Sequence, residues 1–71
     1  MVYVLEFFAL GPHGERDILD DLKCRAATLE NAAEQARAVG RNVRMRDRQA
    51  NLCVIKDQKG RVFTVVGLLA A

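Results

Sequence analysis

Residues 2 to 10 (Val-Tyr-Val-Leu-Glu-Phe-Phe-Ala-Leu) are β-branched, aromatic and apolar, and they stop at the turn signal Gly11-Pro12-His13-Gly14. The run predicts a strand. One face carries Tyr3, Leu5, Phe7 and Ala9, the other Val2, Val4, Glu6, Phe8 and Leu10. Only Glu6 is polar, so the strand reads as covered on both sides rather than on one. Residues 15 to 27 fit two periods at once. Ile18, Leu22 and Ala26 keep a helical spacing, while Leu22, Cys24 and Ala26 alternate with Lys23 and Arg25 as in a strand. The expectation here is a loop followed by a short strand near 22 to 26.

Thr28 is placed to cap a helix, its hydroxyl accepting from a free first-turn amide. Leu29, Ala32, Ala33, Ala36, Val39, Gly40 and Val43 then form one apolar stripe at helical spacing. The stripe predicts a helix over about 28–46. Gly40 within it either permits close backbone packing or marks an earlier end, at a cost of about 1 kcal/mol relative to Ala inside a helix. Residues 51–69 read as a β-hairpin, with Asn51 to Asp57 and Arg61 to Leu69 joined by Asp57-Gln58-Lys59-Gly60. That turn suits type I geometry with a positive-φ glycine in a bulge. By simple alternation Leu52 and Val54 oppose Cys53 and Ile55, while Val62, Val66 and Leu68 oppose Phe63, Val65 and Leu69.

These elements predict a single α+β domain over 1–71: an antiparallel sheet of three or four strands with one main helix on one face. One helix covers one sheet face, yet the strands are apolar on both. An exposed apolar face of several hundred Å² is rare in a soluble monomer. The expected partner is therefore a second copy meeting the uncovered face, a homodimer being the commonest arrangement.

Size points the same way. The chain has 71 residues, 51% of them hydrophobic. Folding buries apolar surface contributing on the order of 105 kcal/mol, against an ordering cost on the order of 107 kcal/mol. A balance this close to zero calls for additional support from a disulfide, a metal, a partner or very good packing. Cys24 and Cys53 with the single His13 fall short of the four ligands of structural zinc. Two cysteines are also few for a disulfide-stapled secreted domain. Buried reduced thiols in a cytoplasmic protein are expected, with no metal and no cofactor. The first ten residues lack a basic segment and carry Glu6, which does not suit a signal peptide, and no run is long enough to span a membrane.

Net charge is only +2. Arg37, Arg41, Arg44 and Arg48 are nonetheless spaced 4, 3 and 4 apart, which stacks them on one face of a helix reaching that far. Arg46 adds charge nearby and Asp47 removes some. Such a row can follow nucleic-acid phosphates or bind an acidic partner, but no aromatic is interleaved to stack bases. Its plain reading is a solvated face, with Glu30 and Glu34 in the first turns and arginines in the last, as the helix dipole favours. Glu15, Asp17, Asp20 and Asp21 lack calcium-loop spacing and read as a solvated loop, or as a contact for the arginine row of a neighbouring subunit. His13 reads as a surface turn residue. The chain has no serine and no phosphate-binding glycine motif, so no catalytic residue is expected.

The aromatic first strand (Tyr3, Phe7, Phe8), the helix opening Leu29-Glu30-Asn31-Ala32-Ala33 and the hairpin Val54-Ile55-Lys56-Asp57-Gln58-Lys59-Gly60-Arg61-Val62 resemble small bacterial proteins. These are the uncharacterised, domain-of-unknown-function proteins of rhizobial and related alphaproteobacteria. Residues 15 to 27 depart from that family's pattern. The resemblance implies an α+β sheet-and-helix fold and no particular activity. The strand–helix–two-strand order is also similar to dodecin-like flavin binders, but those stack flavin on tryptophan, and this chain has none.

The expected function is thus a small non-catalytic oligomeric module. The alternative is nucleic-acid association through Arg37, Arg41, Arg44 and Arg48.

Overall fold

A computed structural model describes residues 1–45 and 47–68. The elements are β1 (Val2–Leu10), β2 (Arg16–Arg25), α1 (Leu29–Gly40), β3 (Arg44–Met45), β4 (Arg48–Gln49), β5 (Leu52–Lys56) and β6 (Val62–Gly67). Four strands form one sheet in the order β2-β1-β5-β6, every neighbouring pair antiparallel. β3 and β4 make a separate two-stranded ribbon. The architecture is the expected α+β sheet with one helix and a C-terminal hairpin.

The odd-numbered row of β1 lies under α1 and builds the core. Tyr3, Leu5, Phe7 and Ala9 join Cys24 of β2, Cys53 and Ile55 of β5, and Val66 of β6. Phe7, Leu5, Ile55 and Cys53 are the largest side chains with essentially no contact with water. From the helix come Ala32 and Ala36, fully buried, with Leu29, Ala33 and Val39 at the margins. Thr28 caps α1 as expected: its φ and ψ are −136° and 162°, and its hydroxyl accepts from the Asn31 amide at 3.1 Å. Small stripe residues let the helix sit low on the sheet. At Gly40 a Cβ would come within 2.8 Å of Leu68 Cδ1, so the glycine serves close packing.

Three expectations need correction. First, the helix stops at Gly40 instead of continuing to about residue 46; Arg46 itself lies outside the described residues. Val43 keeps the helical spacing but enters the core from a turn, alongside Ala50. The chain is turned back by the β3–β4 ribbon, and Gln49 holds the helix end. Its Nε2 donates to the carbonyls of Gly40, Arg41 and Val43 at 3.0, 3.3 and 3.2 Å. Two amide protons are thus shared among three oxygens at the helix exit; those of Gly40 and Val43 also accept from the backbone amides of Val43 and Ala50 at 3.2 and 3.1 Å.

Second, residues 16–25 are one continuous ten-residue strand, not a loop with a short strand. The acidic residues Asp17, Asp20 and Asp21 lie within it, and Glu15 immediately precedes it. The pairing shifts between Phe7 and Phe8, with Phe7 opposite Asp20 and Phe8 opposite Ile18. Leu19 is the extra residue of this bulge and turns into the core, where it is buried.

Third, β6 is also bulged. Ile55 pairs with Thr64 and Lys56 with Val62, leaving Phe63 unpaired. Val62 therefore shares a face with Val65, not with Val66. Phe63 packs edge-on against Tyr3 with ring centroids 5.7 Å apart. The expected last strand residue, Leu69, is outside the described residues. The turn itself has the predicted form. Asp57 N donates to the Arg61 carbonyl at 2.9 Å, Gly60 N to the Asp57 carbonyl at 3.1 Å, and Gly60 has φ of 90°.

Candidate functional site: the sheet face opposite the helix

The sheet has a second face, built from the even row of β1 and its register partners. Residues directly opposite on paired strands point to the same side. Val2, Val4, Glu6, Phe8 and Leu10 thus share a face with Arg16, Ile18, Asp21, Lys23 and Arg25 of β2. Leu52, Val54 and Lys56 of β5 continue it, followed by Val62, Val65 and Gly67 of β6. Phe8 and Val54 are buried by their neighbours on the face. The surrounding side chains remain open: Ile18 is 61% exposed, Val62 56%, Val65 53% and Leu10 45%.

Glu6 and Lys56 lie near the centre. Lys56 Nζ donates to Glu6 Oε2 at 2.8 Å, and both side chains are largely shielded (24% and 19% exposed). The strand expected to be covered on both faces is therefore covered by α1 on one, while the other is apolar around the Glu6–Lys56 pair and charged along β2. Four strands about 4.8 Å apart and averaging about 25 Å long give this face an extent of roughly 500 Å². The accessible surface of the chain, 4987 Å², is consistent with an open face, since a compact monomer of this mass presents about 4,400 Å².

The arginine row is not assembled on one helix face. Arg37 is on α1, Arg41 follows its last turn, Arg44 is in β3 and Arg48 in β4. Arg44 Nε donates to Gln49 Oε1 at 2.7 Å, and Arg48 forms an ion pair with Asp17 of β2. The arginine and acidic segments do meet, but within one chain: the contact ties the ribbon to the edge of the sheet.

Cys24 and Cys53 are free and buried. Cys24 Sγ donates to Gln35 Oε1 at 3.0 Å, and burial raises its pKa. Burial pushes the Cys53 thiol up to about 12, which leaves it protonated and unreactive at neutral pH. His13 is exposed, and its backbone amide donates to Glu15 Oε2 at 3.1 Å. Among the described residues no group of three or more His, Cys, Asp and Glu could hold a metal ion. None of their helices is long and apolar enough to cross a membrane. No family model, curated protein or solved structure matches the chain.

The face was legible as an unmatched apolar row in β1. What sequence alternation misplaced was its composition beyond β1, because the Leu19 and Phe63 bulges each reverse the parity of the residues past them.

Proposed function

We propose that the chain is a non-catalytic assembly module that dimerises by stacking this open sheet face on the same face of a second copy. The observation that carries the reading is the group Leu10, Ile18, Val62 and Val65, large apolar side chains left open around the buried Phe8 and Val54. Two such faces together bury roughly 1,000 Å², about the minimum for a specific interface. The charge at the centre is already compensated by the Glu6–Lys56 pair, so the apolar part of the face, away from the charged β2 margin, asks for no oppositely charged partner. A self-complementary apolar surface related by a two-fold axis satisfies it. Sheets stacked in this way pack about 10 Å apart with interdigitating side chains.

A soluble paramagnetic relaxation agent tests the contact. In the dimer the methyl signals of Leu10, Ile18, Val62 and Val65 are shielded and stay sharp. Broadening of all four, as for any exposed methyl, at the highest attainable concentration would contradict it.

The alternative, nucleic-acid association through Arg37, Arg41, Arg44 and Arg48, has less support because Arg48 is engaged by Asp17 and the four do not form one row. Arg41→Glu with Arg44→Glu separates the two readings. Assembly through the sheet face leaves that variant dimeric; the alternative requires a wild-type affinity for mixed nucleic acid at low salt that the variant loses.

A further inference from the structure

The two edges of the sheet differ in kind. β2, at one edge, carries Arg16, Asp17, Asp20, Asp21, Lys23 and Arg25; both edge strands hold one bulge, at Leu19 and at Phe63, so charge is what separates them. Charges on an edge strand are an ordinary means of preventing another strand from adding there. β6, at the other edge, reads Val-Phe-Thr-Val-Val-Gly, with no charge and no proline, and its Val62, Phe63 and Val65 are exposed.

Hydrogen-bond parity identifies the free groups of β6. Asp57 N donates to the Arg61 carbonyl and Leu68 N to the Asn51 carbonyl, which sets bonded pairs alternating between β5 and β6. Thr64 and Val66 face β5. Val62, Val65 and Gly67 direct their N–H and C=O groups away from it, into the edge.

We infer that β6 is a second self-association site, pairing antiparallel with β6 of another copy about a two-fold axis perpendicular to the sheet and centred near Val65. The occupant is a second copy on three grounds. Antiparallel β6–β6 pairing opposes only uncharged side chains, whereas β2–β2 pairing would bring like charges together. The paired strands also make the open apolar faces of the two copies continuous through Val62 and Val65. After pairing, both outer edges of the eight-stranded sheet are the charged β2, so growth stops at two chains. This pairing does not depend on the stacking of sheet faces. If both occur, the axes are orthogonal and four chains close.

Amide hydrogen exchange of the wild-type protein, read by NMR, tests the pairing without a mutation. Pairing predicts that Val62, Val65 and Gly67 exchange at least 100-fold slower than unbonded amides, and that this protection is lost on dilution. The outward-facing amides of Asp21 and Lys23 in β2 remain fast throughout. Free exchange at Val62, Val65 and Gly67, with Thr64 and Val66 still protected, would overturn the inference.

Gly67→Pro removes one outward donor at a position where nothing lies within 4 Å of an added Cβ. The proline is expected to halve the mass of the assembly and release Val65 to fast exchange. Ile18→Lys, on the face but far from β6, should leave two chains with Val65 protected; this separates failure of the edge contact from failure of the face contact. Assemblies growing beyond four chains would contradict closure by β2.

Discussion

Replacing Ile18 by lysine tests the open face at the point where the monomer depends on it least. Ile18 is 61% exposed in the single chain and lies opposite Phe8 on the open face. Complete burial of an isoleucine side chain is worth about 2.5 kcal/mol, so about 1.5 kcal/mol of it is still to be gained when a second sheet covers the residue. A two-fold interface counts the residue twice, giving about 3 kcal/mol, or roughly a hundredfold in dissociation constant. Desolvation of the two ammonium groups adds to the loss. Within the monomer the change removes only the minority of Ile18 already packed, about 1 kcal/mol. Sedimentation equilibrium of wild type and variant over a common concentration range, with circular dichroism to confirm folding, measures both quantities. A variant that associates within threefold of wild type would refute the placement of Ile18 in the interface.

Other expectations follow from the same geometry. Gln49→Ala removes the side-chain donor that joins the Gly40, Arg41 and Val43 carbonyls, of which Gly40 and Val43 keep a backbone donor; a loss of about 1 kcal/mol is expected in urea unfolding, and an unchanged midpoint would dismiss the capping role. Gly60→Ala forces an alanine to φ of 90° and should cost about 1–2 kcal/mol, whereas Gly60→Asn should cost less, because asparagine tolerates the left-handed region. Both thiols should resist a disulfide reagent at pH 8 in the native protein and react fully once it is unfolded. Cys53 is held protonated to about pH 12 against 9.0 when unfolded. Between those values the native state binds the extra proton, and stability falls with rising pH by at most about 1.4 kcal/mol per unit from this thiol. Cys53→Ala should flatten that part of the pH profile, and an unaltered slope would assign it to other groups.

The helix start, the first strand and the C-terminal turn were legible because each rests on local chemistry: a threonine hydroxyl, a run of β-branched and aromatic residues, a positive-φ glycine. The extent of β2 was not. Leu19 enters the core as a bulge residue beside Asp20, which sits opposite the core-facing Phe7, and an alternation rule has no way to place two adjacent residues on the same face of a strand that then continues. The end of α1 was hidden by Val43, which holds the helical spacing while reaching the core from a turn. Gly40 was readable as either packing or termination, and it does both. The arginine spacing of 4, 3 and 4 carried no helical meaning once the chain left α1, and the Gln49 contacts that fix the exit connect residues with no shared motif. The site itself was visible as a surplus of apolar positions over what one helix can cover. Both bulges change which residues occupy each face, yet Phe8, Leu10, Ile18, Val54, Val62 and Val65 still share the open one.

On the reading proposed above, this small domain is completed by a second copy across the open sheet face. Light-scattering mass measured with size-exclusion chromatography, over a concentration series, tests it most directly. A mass at least twice the single-chain 7.9 kDa is expected at high concentration, falling towards one chain on dilution. A mass of one chain throughout, from micromolar to near-millimolar protein, would contradict it.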